Sequence, residues 1–174
     1  MRDYHDNEWG RRVSSTAAMF ERVTLEAFQS GLSWLVVLRK RARFREVFAG
    51  FDPEVVAGYD EADVARLLAD AGIVRNRAKI EATIANAQAT LSLDEPLEVV
   101  VWRFAPTPRP PRPRTLDEVQ AVTPASTALA AQLRRLGFRF VGPTTAYALM
   151  QATGMVDDHL ADCAVSADGQ PLSA

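Results

Sequence analysis

Apolar residues recur along the chain at helical spacing, in short blocks punctuated by capping residues, glycines and prolines. Ser14, Ser15 and Thr16 stand ahead of the series Met19, Phe20, Val23 and Ala27, which predicts a helix stopping near Gly31. Ser33 caps the next, with Leu35, Leu38, Ala42 and Val47 as its expected inner stripe. Asp52-Pro53 places a cap and then a proline at the first helical position, and Asp60 opens another helix through Val64, Leu67 and Leu68 to Gly72. Ile80, Ile84 and Ala87 mark a longer amphipathic helix. Residues 96–104, PLEVVVWRF, carry β-branched residues that suit a strand, but no partner strand is evident, so a helix is expected. No repeat of fixed period occurs. The fold class read from this pattern is all-α.

Residues 106–114, PTPRPPRPR, hold five of the ten prolines. Proline cannot join a helix interior, and such a run prefers an extended conformation. It reads as a surface connection between two helical groups, in preference to a ligand for an SH3-type domain. Beyond it, STALAAQLRRL at 126–136 is followed by Gly137, Gly142 and then a helix opening with Pro143. This resembles a helix-hairpin-helix element over about 126–153. Free N–H groups at a helix N-terminus attract a DNA phosphate, and glycine lets the backbone come close. Gly137, Arg139, Gly142 and Thr144 are the candidate DNA-binding residues. A plain αα-hairpin with a glycine turn fits the same pattern.

Composition narrows the class. At 174 residues, 48% hydrophobic and 24% charged, the chain reads as one globular domain over 1–174 rather than a disordered segment. One cysteine excludes an internal disulfide, which points to a reducing cytoplasm. No apolar run approaches the roughly 20 residues that span a bilayer, and MRDYHDNEWG lacks the apolar stretch of a signal peptide. The expectation is a cytoplasmic protein with no membrane partner. With no heptad or broad apolar stripe, it is expected to be a monomer. The net charge of −2 conceals a basic run, Arg39, Lys40, Arg41, Arg43 and Arg45, which taken alone reads as a solvated helix face.

Two side-chain groupings carry chemistry. His159 and Cys163 are four apart, so on a helix they share a face; imidazole and thiolate, with His5 near the start, form a zinc-type ligand set. Such a site ties the N- and C-terminal regions together. Equally, a lone cysteine is often just a small buried hydrophobe. Glu26 projects beside Met19 and Val23 at the border of the apolar stripe, and Trp34 follows the Gly31-Leu32-Ser33 turn. A carboxylate at a core edge needs a partner or a function. Beside an aromatic plate it suits a flat cationic ligand.

YHDNEWG near the start, LEAFQSGLSWLVVLRKR at 25–41 and GFRFVGPTTAYALMQATGMVDDH at 137–159 resemble DNA-3-methyladenine glycosylase, type I. FDPEVVA at 51–57 and AGIVRNRAKIEATIANA at 71–87 extend the resemblance through nearly the whole chain. It implies an all-helical enzyme with a helix-hairpin-helix that removes N3-methyladenine from alkylated double-stranded DNA. The family's base pocket falls on Tyr4, Glu26 and Trp34, with Glu26 as the catalytic carboxylate. Its structural zinc falls on His5, His159 and Cys163. The family's fourth ligand, a cysteine upstream of YHDNEWG, has no counterpart in these residues, so the expected site has three protein ligands and is more exchangeable than a closed one. The nucleotide is expected to be flipped out of the stack. Water then attacks the sugar, with Asp158 as one carboxylate able to activate it. The only lysines are Lys40 and Lys79, and the second hairpin helix carries none, so no Schiff-base lyase step is expected. The alternative is a non-catalytic helix-hairpin-helix module that recognises damaged DNA.

Overall fold

The computed structural model describes residues 1–165; the end of the expected 1–174 domain lies outside the described residues. Among these there is no strand, and the chain runs as α1 (Arg2–Asn7), α2 (Thr16–Gln29), α3 (Trp34–Val47), α4 (Pro53–Ala57), α5 (Glu61–Ala69), α6 (Arg77–Leu91), α7 (Leu97–Trp102), α8 (Pro124–Arg135) and α9 (Pro143–Ala152). No helix of the described residues is long and apolar enough to cross a membrane.

The boundaries follow local chemistry. Ser15 Oγ accepts from the Ala18 N–H at the head of α2, and Gly31, at φ +80°, lets the chain turn after it. Asp52 and Asp60 cap α4 and α5, Asp60 with a reciprocal box to Asp63. Residues 97–102 are helical, as expected from the lack of a partner strand. The helix expected to begin at 126 starts two residues earlier, because Thr123 and Ser126 form a capping box and Pro124 occupies the first turn.

α2 lies at the centre, in contact with α3, α6, α7 and α9; α4 packs on α6 and α8 on α9. Its whole middle is buried, from Met19 to Phe28 save Glu21. Phe28, Phe44, Phe48 and Phe51 are fully buried and meet ring to ring, Phe28 and Phe44 edge-on at 4.7 Å. The inner face of α3 differs from expectation. Val37, Phe44, Val47 and the following Phe48 are buried, while Ala42 is exposed and Leu35 and Leu38 are only half-buried. The aromatic rings bury more apolar area than alanine does, and they fix the roll of the helix.

Two glycines let the segment after α1 meet the turn after α9. Gly154 has φ +76°, and a Cβ there would lie 2.3 Å from the Gly10 carbonyl oxygen; Gly10 itself has φ +74° and faces the His159 ring. Gly154→Ala therefore combines a left-handed conformation with a backbone clash, and is expected to cost about 2 kcal/mol or more. Urea unfolding checks this, and an unchanged midpoint would refute the close approach.

Candidate active site

A cleft of about 300 Å³ opens between α1, α2, the head of α3 and α9, lined by Tyr4, His5, Trp9, Glu26, Gln29, Trp34, Ala148 and Gln151. It brings Tyr4, Glu26 and Trp34 together. The Tyr4 and Trp34 rings lie 5.2 Å apart and tilted by 44°. Glu26 is 5% exposed, buried on α2 among Val23, Leu25 and Ala27. Burial pushes its carboxyl up to about 7, against the opposing charge of Arg22. Burial likewise pushes the Tyr4 hydroxyl up to about 12. Tyr4 Oη and Trp34 Nε1 are both buried without a hydrogen-bond partner. Buried polar atoms are ordinarily paired, so two orphans beside a carboxyl that burial pushes toward its neutral form mark a cavity shaped for a polar, flat occupant.

The short helix α1 carries Tyr4 into this cleft and is held from behind by charge. Arg41 donates to both Glu8 carboxylate oxygens, at 2.5 and 2.6 Å, and Arg22 Nη2 lies 3.5 Å from Glu8. Both guanidinium groups stand about the Tyr4 ring, at 5.7 Å for Arg22 and 5.6 Å for Arg41. The basic run of α3 is thus more than a solvated face. Arg43 pairs with Glu46 and Asp70, Arg45 with Glu21, and Lys40 donates to the Ala71 carbonyl. Sequence reasoning missed this wiring. The signal was position 41 itself, which shares the spacing of Val37, Phe44 and Phe48.

At one edge of the cleft, His5 and His159 meet with ring centroids 4.9 Å apart, and Trp9 packs edge-on against His159 at 4.6 Å. Cys163 Sγ lies 3.9 Å from His5 Nε2. Nitrogen and sulfur ligands sharing a tetrahedral zinc stand about 3.6 Å apart, from bonds of about 2.1 and 2.3 Å. Each histidine turns its other nitrogen away: Nδ1 of His5 donates to Asp6 and Nδ1 of His159 to Asp157, both at 2.7 Å. That turns His5 Nε2 toward Cys163, its hydrogen-bond partner, and leaves His159 Nε2 buried without a partner. Among the described residues no group of three or more His, Cys, Asp or Glu side chains closes to metal-holding distances. The donors are nonetheless of the right kind, and His5 stands against both His159 and Cys163. Residues 157–165 are not helical, so His159 and Cys163 do not share a helix face; a loop brings them together.

Of the candidate DNA-binding residues, Gly137 takes φ +94° in the turn after α8, and Gly142 caps α9, where no side chain bonds the first turn. Arg139 and Thr144 are exposed. The turn is pinned from α6 by Asn86, which accepts from the Arg139 N–H at 2.7 Å and donates to its carbonyl at 3.2 Å. Asp158 is engaged, accepting from Tyr147 Oη at 2.8 Å and Gln151 Nε2 at 2.6 Å.

The family model described as methyladenine glycosylase matches residues 1–166. The chain belongs to the methyladenine glycosylase family. DNA-3-methyladenine glycosylase 1 of Escherichia coli (strain K12) is 45% identical over 172 residues, covering 97% of this chain and 92% of that protein. DNA-3-methyladenine glycosylase of Haemophilus influenzae is 41% identical over 92% of this chain and 89% of its own length. A crystal structure of 3-methyladenine DNA glycosylase I superposes with a TM-score of 0.89 at 44% identity, covering 93% of this chain and 91% of that one. As a member of this methyladenine glycosylase family the chain is an enzyme, a DNA-repair N-glycosyl hydrolase, and the reading as a purely non-catalytic module gives way.

Proposed function

We propose that this enzyme binds alkylated double-stranded DNA, flips out N3-methyladenine and hydrolyses its N-glycosidic bond, leaving an abasic site. The observation that carries the reading is the cleft: a buried carboxyl raised to about 7 beside two unpartnered groups, Tyr4 Oη and Trp34 Nε1. A solved structure of a 3-methyladenine DNA glycosylase I variant in complex with 3-methyladenine matches this chain with a TM-score of 0.87 at 32% identity.

N3-methylation makes the purine cationic. In this pocket Trp34 stacks on the electron-poor ring, and Tyr4 and Glu26 bond its polar edge. The cation favours the ionised form of Glu26, an interaction that neutral adenine lacks. Flipping costs a few kcal/mol, which these contacts offset. Water attacks C1′ and the C1′–N9 bond breaks. Its electron pair neutralises the cation, so the base departs neutral without being protonated, and the water's proton passes to solvent. Selection and positioning do the chemistry that an acid does elsewhere.

Gly137, Arg139, Gly142 and Thr144, in a helix-hairpin-helix formed by α8 and α9, bind the DNA backbone. His5, His159 and Cys163 would hold a structural zinc ion; bound there it would tie α1 to the 157–165 loop and would supply no chemistry to the excision. The enzyme is a cytoplasmic monomer. It has no lyase step: Lys40 and Lys79 donate to backbone carbonyls and neither lines the cleft.

Methylated duplex DNA incubated with the enzyme is expected to release free 3-methyladenine and leave alkali-labile sites, with no borohydride-trapped adduct. Retardation of the DNA without any free base would refute the reading.

A further inference from the structure

The loop that carries His159 and Cys163 has no regular structure of its own, so something else must hold it. Arg112, in the proline-rich segment, does so with three donors. Its Nε lies 2.7 Å from Asp157 Oδ2, Nη1 donates to the Cys163 carbonyl at 3.0 Å, and Nη2 donates to the Val165 carbonyl. The neighbouring Pro113 carbonyl accepts from the Ala161 N–H at 2.9 Å. Asp157 completes the chain of contacts through its other oxygen, which accepts from His159 Nδ1 at 2.7 Å and the His159 N–H at 3.3 Å. The ion pair is largely sheltered, with side chains 16% and 11% exposed. One side chain thus grips the loop at both donor residues: through Asp157 at His159, and through the main chain at Cys163.

We infer that Arg112 is the positioning residue of the metal centre. It presents Nε2 of His159 and the sulfur of Cys163 toward His5. The inference rests on the zinc reading above. Arginine fits the task because its rigid fork serves one carboxylate and two carbonyls at once; lysine is a flexible point charge. Proline on either side, at 111 and 113, limits the segment's freedom and keeps the fork in place.

The test uses cobalt(II) as the probe on the purified chain stripped of metal. Wild type is expected to bind one equivalent, with a thiolate-to-cobalt charge-transfer band and intense tetrahedral absorption. Arg112→Met keeps the stem and loses the fork. It is expected to bind cobalt and, in competition with a chromophoric chelator, zinc about 10- to 100-fold more weakly, with the thiolate band diminished. Arg112→Lys should recover only part of the loss. Asp157→Asn, which keeps the shape and disrupts the ion pair, should weaken binding in the same range; it serves as the test where Arg112→Met does not fold. Variants that bind as wild type does, with the same band, would overturn the inference while leaving the metal reading intact. Wild type that takes up no cobalt would overturn the metal reading, and the inference with it.

Discussion

Glu26→Gln is expected to lower release of 3-methyladenine about 100-fold while making the folded protein more stable above neutral pH. The two effects share one cause. In the folded chain burial raises the Glu26 carboxyl from 4.5 to about 7, a gap of about 3 kcal/mol between its charged and neutral forms. The folded state therefore holds a proton that the unfolded chain has already lost between those two values. Stability is undiminished below the unfolded value, falls as pH rises through the window, and carries the whole penalty above about 7. Glutamine has no charge to bury, so the variant's unfolding temperature should lack this decline and exceed the wild type's at pH 8.

The same substitution removes the charge-assisted bond to the cationic base, worth about 2–3 kcal/mol, hence the loss in rate. In wild type, kcat/KM should fall as pH drops through about 7, where the free enzyme's carboxylate is protonated. The bound cation favours ionisation, so the matching inflection in kcat should lie lower. Calorimetry across pH and single-turnover base release check both arms. Unchanged release would remove Glu26 from the reacting pocket. A variant less stable at pH 8 would mean the carboxylate has a partner in the fold.

Much of this was legible in the sequence because it is local. Ser15, Asp52, Asp60 and Gly31 act on backbone groups one to three residues away, so their effect is readable from the chain alone. The face of α2 followed from spacing, and Glu26 stood out as a carboxylate at its edge. What escaped were contacts made across the fold. Lys79 reads as one polar residue near the start of α6, yet its ammonium bonds the Phe28 and Ser30 carbonyls at 2.8 and 2.6 Å and so closes the end of α2 just before the turn into Trp34. Asn86 is 1% exposed and pins a turn 53 residues away. The prolines of 106–114 predicted an extended connection, but not that Arg112 would emerge from it to grip the last loop. Trp9, Ala148 and Gln151 line the cleft only because the chain after α1 and helix α9 are brought to one place by the fold. Neither propensity nor period encodes such pairs; only the packed topology does.

Glu8→Ala is the second large effect, and it separates the wiring behind the cleft from the cleft itself. A six-residue helix has no stability of its own, so α1 stays in place through what it touches. Glu8, the residue that follows it, anchors it through ion pairs to Arg41 and Arg22, whose side chains are 14% and 9% exposed. Losing the carboxylate leaves two sheltered guanidinium charges without their ion-pair partner. The cost is expected to be about 2 kcal/mol, less than for a fully buried pair because Glu8 is itself 29% exposed. Base release should fall further than stability alone explains, since α1 also carries Tyr4. If orphaned charge is the cause, removing a second charge helps: Glu8→Ala combined with Arg41→Met should be more stable than Glu8→Ala alone. Base release should not recover alongside, because the double variant still lacks the anchor of α1. Urea midpoints and single-turnover rates for the three proteins decide it. A double variant no more stable than the single one would place the cost in lost packing of α1 rather than in stranded charge.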